Sequence, residues 1–208
     1  MQLPVDPARF AAFLSVTAVM VAAPGPANLF AIATGARRGH AAVLAGVAGM
    51  NLASVVWYAA AGLGLGALAL AFPAAFRLLA YLGAAYVAWL GLRAVWSARG
   101  GEAGAHAPKV AGCSAFQDGF VVQISNPKAL LYTTVVLPPF LDPSRPFAAQ
   151  LLLFAAVGIG GDAVTMTAYG FGGAAIARRM SEPGFRRGFA AFTGLLLMTA
   201  AALIALHG

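Results

Sequence analysis

Long apolar stretches alternate with short polar segments along the chain, and this pattern predicts membrane-spanning helices. Each apolar stretch has about 20 residues or more, the length that a helix needs to cross a hydrocarbon core of about 30 Å. The pattern predicts six spans, with approximate bounds at residues 9–33, 40–66, 74–96, 113–140, 147–176 and 189–206.

The longest polar segment, residues 98–112, divides these spans into two sets of three. We interpret it as a cytoplasmic linker between a first half at residues 1–97 and a second half at residues 113–208. Because each half has an odd number of spans, the second half is upside down in the membrane, as in many transporters. The predicted fold is an all-α integral membrane protein made of two inverted three-helix repeats.

The first span of each half is interrupted by proline. The two motifs are Pro24-Gly25-Pro26 and Asn126-Pro127-Lys128. Proline removes a backbone donor and frees the carbonyl one turn earlier, so a break inside a bilayer is tolerated where it lines a cavity or packs against protein. We therefore predict that helices 1 and 4 are broken and that the breaks meet at one site. Two unrelated kinks are the alternative.

Composition supports the membrane interpretation. Of the 208 residues, 61% are hydrophobic and only 9% are charged, whereas soluble domains have about 25% charged residues. The N-terminal segment also has features of a signal peptide, but Pro24 directly follows the small residues Ala22 and Ala23. Cleavage there is disfavoured and would leave five spans, so we retain this segment as helix 1.

Basic residues indicate the orientation, because Lys and Arg in short loops tend to stay cytoplasmic. The loops after the first, third and fifth spans hold Arg37, Arg38, Arg93, Arg99, Lys109, Arg178, Arg179, Arg186 and Arg187. The opposite side holds only Arg9, Arg77 and Arg145. This asymmetry predicts that both termini lie outside the cytoplasm. The same loop residues explain the net charge of +7, because they set the topology and contact anionic lipid. The positive charge therefore does not indicate nucleic-acid binding.

The first break offers groups that suit a carboxylate. A half-helix that begins near Ala27 presents unpaired N–H groups and the positive end of its dipole. Asn28 can donate and accept hydrogen bonds there, although a plain helix-capping role is an equal alternative. Asn51 either bonds to another helix or contacts substrate. Tyr132, in the fourth predicted span, is a candidate substrate contact.

The second break adds a charge. Lys128 lies near the middle of its span, and a lone ammonium at this depth costs about 2.5 to 3.5 kcal/mol on insertion scales. Asp162 is the one acid at a similar depth, in the fifth span. We hypothesise that Asp162 pairs with Lys128 in one state and couples ions, by taking up a proton or binding a substrate ammonium, in another. A permanent structural ion pair is the alternative.

Several other chemistries lack the residues they need. The single cysteine, Cys113, cannot form a paired-thiol redox motif. The three histidines are scattered, so we expect no metal site, and there is no glycine-rich nucleotide loop. We expect no cofactor, and energy would come from an ion gradient.

Several segments together resemble the LysE-type amino-acid exporters (the LysE/RhtB family), including their homoserine and threonine efflux branch. They are Pro24-Gly25-Pro26-Ala27-Asn28, residues 35–46, 82–91 and 116–120, Asn126-Pro127-Lys128 and Leu137-Pro138-Pro139-Phe140. The resemblance covers nearly the whole chain. One difference is that the family commonly has asparagine directly after the second proline, whereas Ala27 precedes Asn28 here. A shift of one residue rotates a helical side chain by about 100°.

The resemblance implies a six-helix exporter of amino acids or close derivatives in the bacterial inner membrane. It also implies proton antiport, with both proline motifs at the translocation site, and is compatible with a homo-oligomer. We therefore expect a transporter that uses alternating access rather than an enzyme. The alternatives are a channel or carrier for another solute class, a membrane-embedded enzyme and an assembly subunit.

Overall fold

A computed structural model of the chain describes residues 4–23, 25–71 and 114–207, together with eight single positions between Leu78 and Trp96. Pro24, the predicted linker at 98–112 and most of the predicted span at 74–96 lie outside the described residues. Throughout the described part the regular structure is helical, without strands, which agrees with the predicted α-helical class.

Seven α-helices follow one another in the described residues. They are α1 (Pro7–Ala22), α2 (Pro26–Ala71), α3 (Ala115–Ile124), α4 (Pro127–Leu131), α5 (Phe147–Phe171), α6 (Gly173–Met180) and α7 (Pro183–His207). A π-helical turn (Tyr132–Val136) and a 3₁₀ turn (Pro138–Phe140) connect α4 to the loop before α5.

The chain reverses direction inside α2, at Gly39. This glycine has φ 79° and ψ −178°, a backbone conformation that residues with a Cβ atom rarely adopt. Phe30 and Gly46 lie on opposite sides of this glycine and are in contact, since a Cβ atom on Gly46 would lie 3.0 Å from Cε1 of Phe30. In a straight helix, residues sixteen positions apart would be separated by about 24 Å. We therefore divide α2 into α2a (26–38) and α2b (40–71). The reversal agrees with the predicted boundary between the first and second spans.

Both predicted breaks are present. Helix α1 ends at Ala22, Ala23 is extended with φ −66° and ψ 117°, and α2 begins at Pro26. Helix α3 ends at Ile124, and α4 begins at Pro127. In each case a proline is the first helical residue after the break, where its missing N–H removes no intrahelical bond.

Two described helical stretches are long and apolar enough to cross a membrane, Pro26–Gly64 and Phe147–Phe171. The first of these contains the reversal at Gly39. Helix α1 is apolar but shorter, with 16 residues. The total of six spans and the inverted relation of the halves stay predictions, because much of the third span lies outside the described residues.

Glycines let the helices approach closely around the breaks. A Cβ atom on Gly119 of α3 would collide with the carbonyl oxygen of Gly46 in α2b, and one on Gly35 of α2a would collide with the backbone of Gly170 in α5. Such contacts between small residues are typical of helix packing in membranes. They bring α2a, α2b, α3 and α5 together beside the ends of the broken helices.

Aromatic packing attaches α1 to α5. The ring of Phe13 in α1 stacks on that of Phe154 in α5 with centroids 4.2 Å apart. Phe13 also contacts the edge of Phe140, in the 3₁₀ turn, at a centroid distance of 5.8 Å. Both arrangements are favourable for aromatic pairs. This cluster attaches the N-terminal half of α1 to α5 and to the 3₁₀ turn.

Candidate functional site

The two breaks converge on one cavity of about 40 Å³, enough for only a few water molecules. Helices α1, α2, α3, α4 and α5 and the π-helical turn all contribute to its wall. The lining residues are Met20, Val21, Ala27, Asn28, Ser54, Trp57, Tyr58, Gln123, Asn126, Lys128, Ala129, Tyr132, Thr133, Gly158, Asp162 and Met166.

Half of the residues proposed from the sequence line this cavity. They are Asn28, Asn126, Lys128, Tyr132 and Asp162. Gly25 lies beside it, because a Cβ atom there would be 3.3 Å from Cδ of Lys128. Pro26 and Pro127 begin the two half-helices. Pro24 lies outside the described residues.

Asn51 is not among the lining residues. Its Oδ1 atom is buried without a hydrogen-bond partner in the described part of the chain. The two roles considered for it, a bond between helices and a contact with substrate, therefore both stay open as predictions.

At the first break, Asn28 caps the start of α2. Its Oδ1 atom accepts a hydrogen bond from the N–H of Gly25 at 3.0 Å, and the residue is 3% exposed. The first-turn N–H groups of α2 have no intrahelical partners and carry the positive end of the helix dipole. Because Ala27 and Asn28 both line the cavity, this positive end borders it. Asn28 thus has the capping role and also forms part of the wall.

Lys128 connects the second break to the first. Its Nζ atom donates to the carbonyl oxygen of Ala23 at 2.5 Å, at the C-terminal end of α1, where the helix dipole favours a cation. Its own backbone N–H donates to Oδ1 of Asn126 at 3.0 Å, so Asn126 caps α4. The ammonium is therefore held between the broken ends of both helices.

Asp162 approaches the same cavity from α5. Its carboxylate is close enough to Lys128 for an electrostatic interaction. Among the described residues, however, its carboxylate accepts no hydrogen bond, and the ion pairs are Arg38–Asp118 and Arg145–Asp142. In this conformation the Lys128 ammonium bonds to Ala23, and Asp162 faces the cavity without a direct partner in the described chain.

A chain of buried amides, which sequence reasoning missed, supports the second break. Gln123, 2% exposed, donates through Nε2 to Oγ of Ser54 at 2.9 Å and accepts from Nδ2 of Asn126 at 3.0 Å. It thereby ties α2b to the residue that caps α4. Two signals point to Gln123 in the sequence: it is an amide inside an apolar span, and it lies only three residues before Asn126 of the second proline motif.

Tyrosine hydroxyls form the opposite polar part of the wall. The hydroxyl groups of Tyr132 and Thr17 are 2.7 Å apart, which joins the π-helical turn to α1. The rings of Tyr132 and Tyr58 meet edge to face with centroids 6.4 Å apart. Tyr58 fits because Gly158 has no side chain, since a Cβ atom there would collide with its hydroxyl. π-Helical turns are frequent at functional sites.

Two polar contacts join half-helices on either side of the cavity. Arg38, at the far end of α2a, forms an ion pair at 2.9 Å with Asp118, in the first turn of α3. Arg9, in the first turn of α1, donates to the carbonyl oxygen of Leu141, beyond the 3₁₀ turn, at 2.8 Å. Each contact joins the segment after one break to the segment before the other break.

The charges that line the cavity in the described residues are one ammonium and one carboxylate. Together with the positive end of α2, they complement a small zwitterion. Groups of three or more His, Cys, Asp or Glu side chains that could hold a metal ion do not occur in the described part of the chain.

A comparison with protein-family models identifies the family of this chain. Residues 18–208 match the family model described as LysE type translocator. The chain belongs to this family. Membership in the LysE family, together with the apolar helices, identifies a multi-pass membrane protein of the transport class.

Several LysE relatives carry functional names. The chain is 28% identical over 195 residues to the homoserine/homoserine lactone efflux protein of Salmonella typhimurium (strain LT2), covering 93% of this chain and 94% of that protein. It is 32% identical over 138 residues to the cysteine/O-acetylserine efflux protein of Escherichia coli (strain K12), covering 66% and 68%. It is also 32% identical to the leucine efflux protein of Enterobacter sp. (strain 638) over 126 residues, 60% of each chain. No solved structure matches the chain.

Proposed function

We propose that the protein is a secondary active transporter that exports an amino acid or a close derivative from the cytoplasm. The observation that carries the proposal is the cavity at the two breaks, which is bordered by Lys128, Asp162 and the N-terminal end of α2. The names of the relatives support the class of substrate, since they are efflux proteins for homoserine, leucine and cysteine.

In the proposed complex, the substrate carboxylate accepts hydrogen bonds from the start of α2 and from Lys128. The first-turn N–H groups supply donors and a favourable dipole, and Lys128 supplies a full charge. The substrate ammonium lies near Asp162, across the cavity. Lys128 then exchanges its bond to Ala23 for a bond to the carboxylate, so binding of substrate releases the end of α1.

The size of the cavity requires movement. A volume of about 40 Å³ is too small for most amino acids, and the Arg38–Asp118 and Arg9–Leu141 contacts join half-helices on either side of the cavity. We infer that the structure represents an occluded state of an alternating-access cycle. Opening one contact while the other persists would expose the site to one side at a time.

Asp162 is the proposed coupling group. A carboxylate that faces a cavity inside a membrane protein without a direct partner can hold a proton in one half of the cycle and the substrate ammonium in the other. Exchange of the two would couple export to the proton gradient. In this proposal the protein resides in the inner membrane of a bacterium, with both termini outside the cytoplasm.

The test is export from proteoliposomes that contain the purified protein and a panel of labelled amino acids. We expect gradient-dependent flux for at least one member, and a reduction of about tenfold or more in Lys128→Ala, because a hydrogen bond to a charged group contributes about 1.5 to 3 kcal/mol. Arg179→Ala, which removes an exposed cation from the end of α6, is the matched control and should export normally.

Other results would support the alternatives. Flux that follows the substrate gradient without any ion coupling indicates a channel. Chemical conversion of the added compound indicates an enzyme, and neither flux nor conversion is the result expected of an assembly subunit. Full activity of Lys128→Ala would overturn the proposed site.

A further inference from the structure

Each break leaves carbonyl groups at the end of the preceding helix without their usual helical donors. In an α-helix the N–H of a residue bonds to the carbonyl oxygen four residues earlier, so the last carbonyl groups of a helix have no such donor. Helix α1 ends at Ala22 and helix α3 ends at Ile124, so the carbonyl groups of Ala22 and Gln123 lack this donor. A carbonyl buried without a partner is costly, so each needs a donor from elsewhere.

At the first break the donor comes from α5. The hydroxyl of Tyr169 donates to the carbonyl oxygen of Ala22 at 3.0 Å. Pro24 and Pro26 have no N–H, and the N–H of Gly25 goes to Asn28, so the residues of the break do not supply this bond themselves. The next carbonyl, that of Ala23, accepts from Lys128. Tyr169 thus holds the peptide group adjacent to the Lys128 contact.

At the second break the donor comes from α2b. Nε1 of Trp57 donates to the carbonyl oxygen of Gln123 at 3.4 Å. This oxygen also accepts from the backbone N–H of Asn126 at 3.1 Å. The indole bond is longer than that of Tyr169 and shares its acceptor, so it is the weaker of the two.

The two donors have related positions in the chain. Tyr169 lies on α5, in the second half, and serves the break of the first half. Trp57 lies on α2b, in the first half, and serves the break of the second half. Each half thus completes the hydrogen bonding of the broken helix in the other half. Tyr169 also lies seven residues, about two turns, from Asp162 on the same face of α5.

We propose that Tyr169 and Trp57 are positioning residues of the transport site. Each holds the broken helix of the opposite half in the geometry that presents its end to the cavity. Tyr169 fixes the end of α1 at which Lys128 bonds, and it connects that end to the helix that carries Asp162. The effect of these residues on transport rests on the proposed function, whereas their bonds to the freed carbonyls do not.

A pair of double-mutant cycles tests the proposal, because a positioning bond should be coupled to the group that it positions. The first compares the parent, Tyr169→Phe, Lys128→Ala and the double variant. The second does the same with Trp57→Phe and Asn126→Ala. The measurements are the KM and maximal rate of export of an amino acid that the parent transports, and the thermal unfolding midpoint in detergent.

We expect Tyr169→Phe to raise KM about fivefold in the parent, the effect of one lost hydrogen bond, with a smaller change in maximal rate. It should also lower the unfolding midpoint. In the Lys128→Ala background both effects should be smaller, because the end of α1 is then already released from the second break. In the Trp57 cycle the changes in KM and in the unfolding midpoint should have the same direction and be smaller, because the hydrogen bond is longer. Tyr81→Phe, at a tyrosine that is 55% exposed, should change neither quantity.

Equal effects of Tyr169→Phe with and without Lys128 would overturn the proposal, since the hydroxyl would then act independently of the transport site. If Lys128→Ala abolishes transport, the unfolding midpoints still complete the cycle and decide the outcome. A parent protein that exports no amino acid would refute the proposed function, while the unfolding cycle would still test the bonds to the carbonyls.

Discussion

The Arg38–Asp118 ion pair leads to the most specific prediction about conformational change. Its two residues lie at the far ends of α2a and α3, the half-helices whose other ends border the cavity. Asn28 and Arg38 are ten residues apart, about 15 Å along α2a. The pair is therefore remote from bound substrate, yet it joins the two segments that would separate if this side opened. We predict that Asp118→Asn favours the state that is open on this side.

The magnitude follows from burial. The side chain of Asp118 is 5% exposed and that of Arg38 is 33% exposed, at 2.9 Å. Fully exposed pairs contribute about 0.2 to 1 kcal/mol, and hydrogen bonds to charged groups contribute about 1.5 to 3 kcal/mol. Because the arginine is partly exposed and the carboxylate is buried, the contribution of this pair lies between these two ranges, at about 1 to 2 kcal/mol. Loss of this free energy shifts a two-state equilibrium about 5- to 30-fold.

Cysteine labelling measures this shift. The sequence has one cysteine, Cys113, so Cys113→Ser provides a cysteine-free background. Ala129→Cys then places a thiol in the cavity wall. A charged, membrane-impermeant thiol reagent is applied to vesicles of each orientation. We expect Asp118→Asn to increase the labelling rate about 5- to 30-fold from the side of Arg38 and to leave or lower the rate from the other side.

The charge-reversed pair Arg38→Asp with Asp118→Arg is the control and should restore slow labelling. Asp118→Asn leaves Arg38 and its other contacts in place, so the variant tests the carboxylate charge itself. Unchanged labelling, or an equal increase from both sides, would show that the pair does not act as a closure of the cavity.

Three further variants test separate features. Asp162→Asn should make export independent of the external pH, as measured in proteoliposomes; full, normally pH-dependent export would refute the coupling role. Gly119→Ala should lower the unfolding midpoint, because its Cβ atom would collide with the backbone of Gly46, and overpacking typically costs about 1 to 3 kcal/mol. Gly160→Ala, where a Cβ atom meets open space, is its control. Hydrogen bonds from the Ser144 hydroxyl and N–H hold the pKa of Asp142 below its usual range. The stability lost in Asp142→Asn should therefore be constant at neutral pH and should vanish as the parent is acidified below about pH 4.

The location of the site was accessible from the sequence because two local rules act at the breaks. Proline interrupts a helix wherever it stands, and a charge inside an apolar span must find a partner or water. These rules identified Asn126 and Lys128, and the scarcity of acids in the apolar spans identified Asp162. The structure brings all three to one cavity. Asn51 shows the limit of such reasoning, since an amide inside a span does not by itself reveal which way it faces.

The sequence by itself determined the class of the fold and the position of its interruptions. Apolar segments of span length and two proline motifs are sufficient for that, because each acts on neighbouring residues. The tertiary structure alone decided the partners: Lys128 with Ala23, Gln123 with Ser54, Arg38 with Asp118 and Tyr169 with Ala22. These residues are 69 to 147 positions apart. Their meeting depends on how each helix is rotated against its neighbours, and close contacts at glycines such as Gly46 and Gly119 set that rotation.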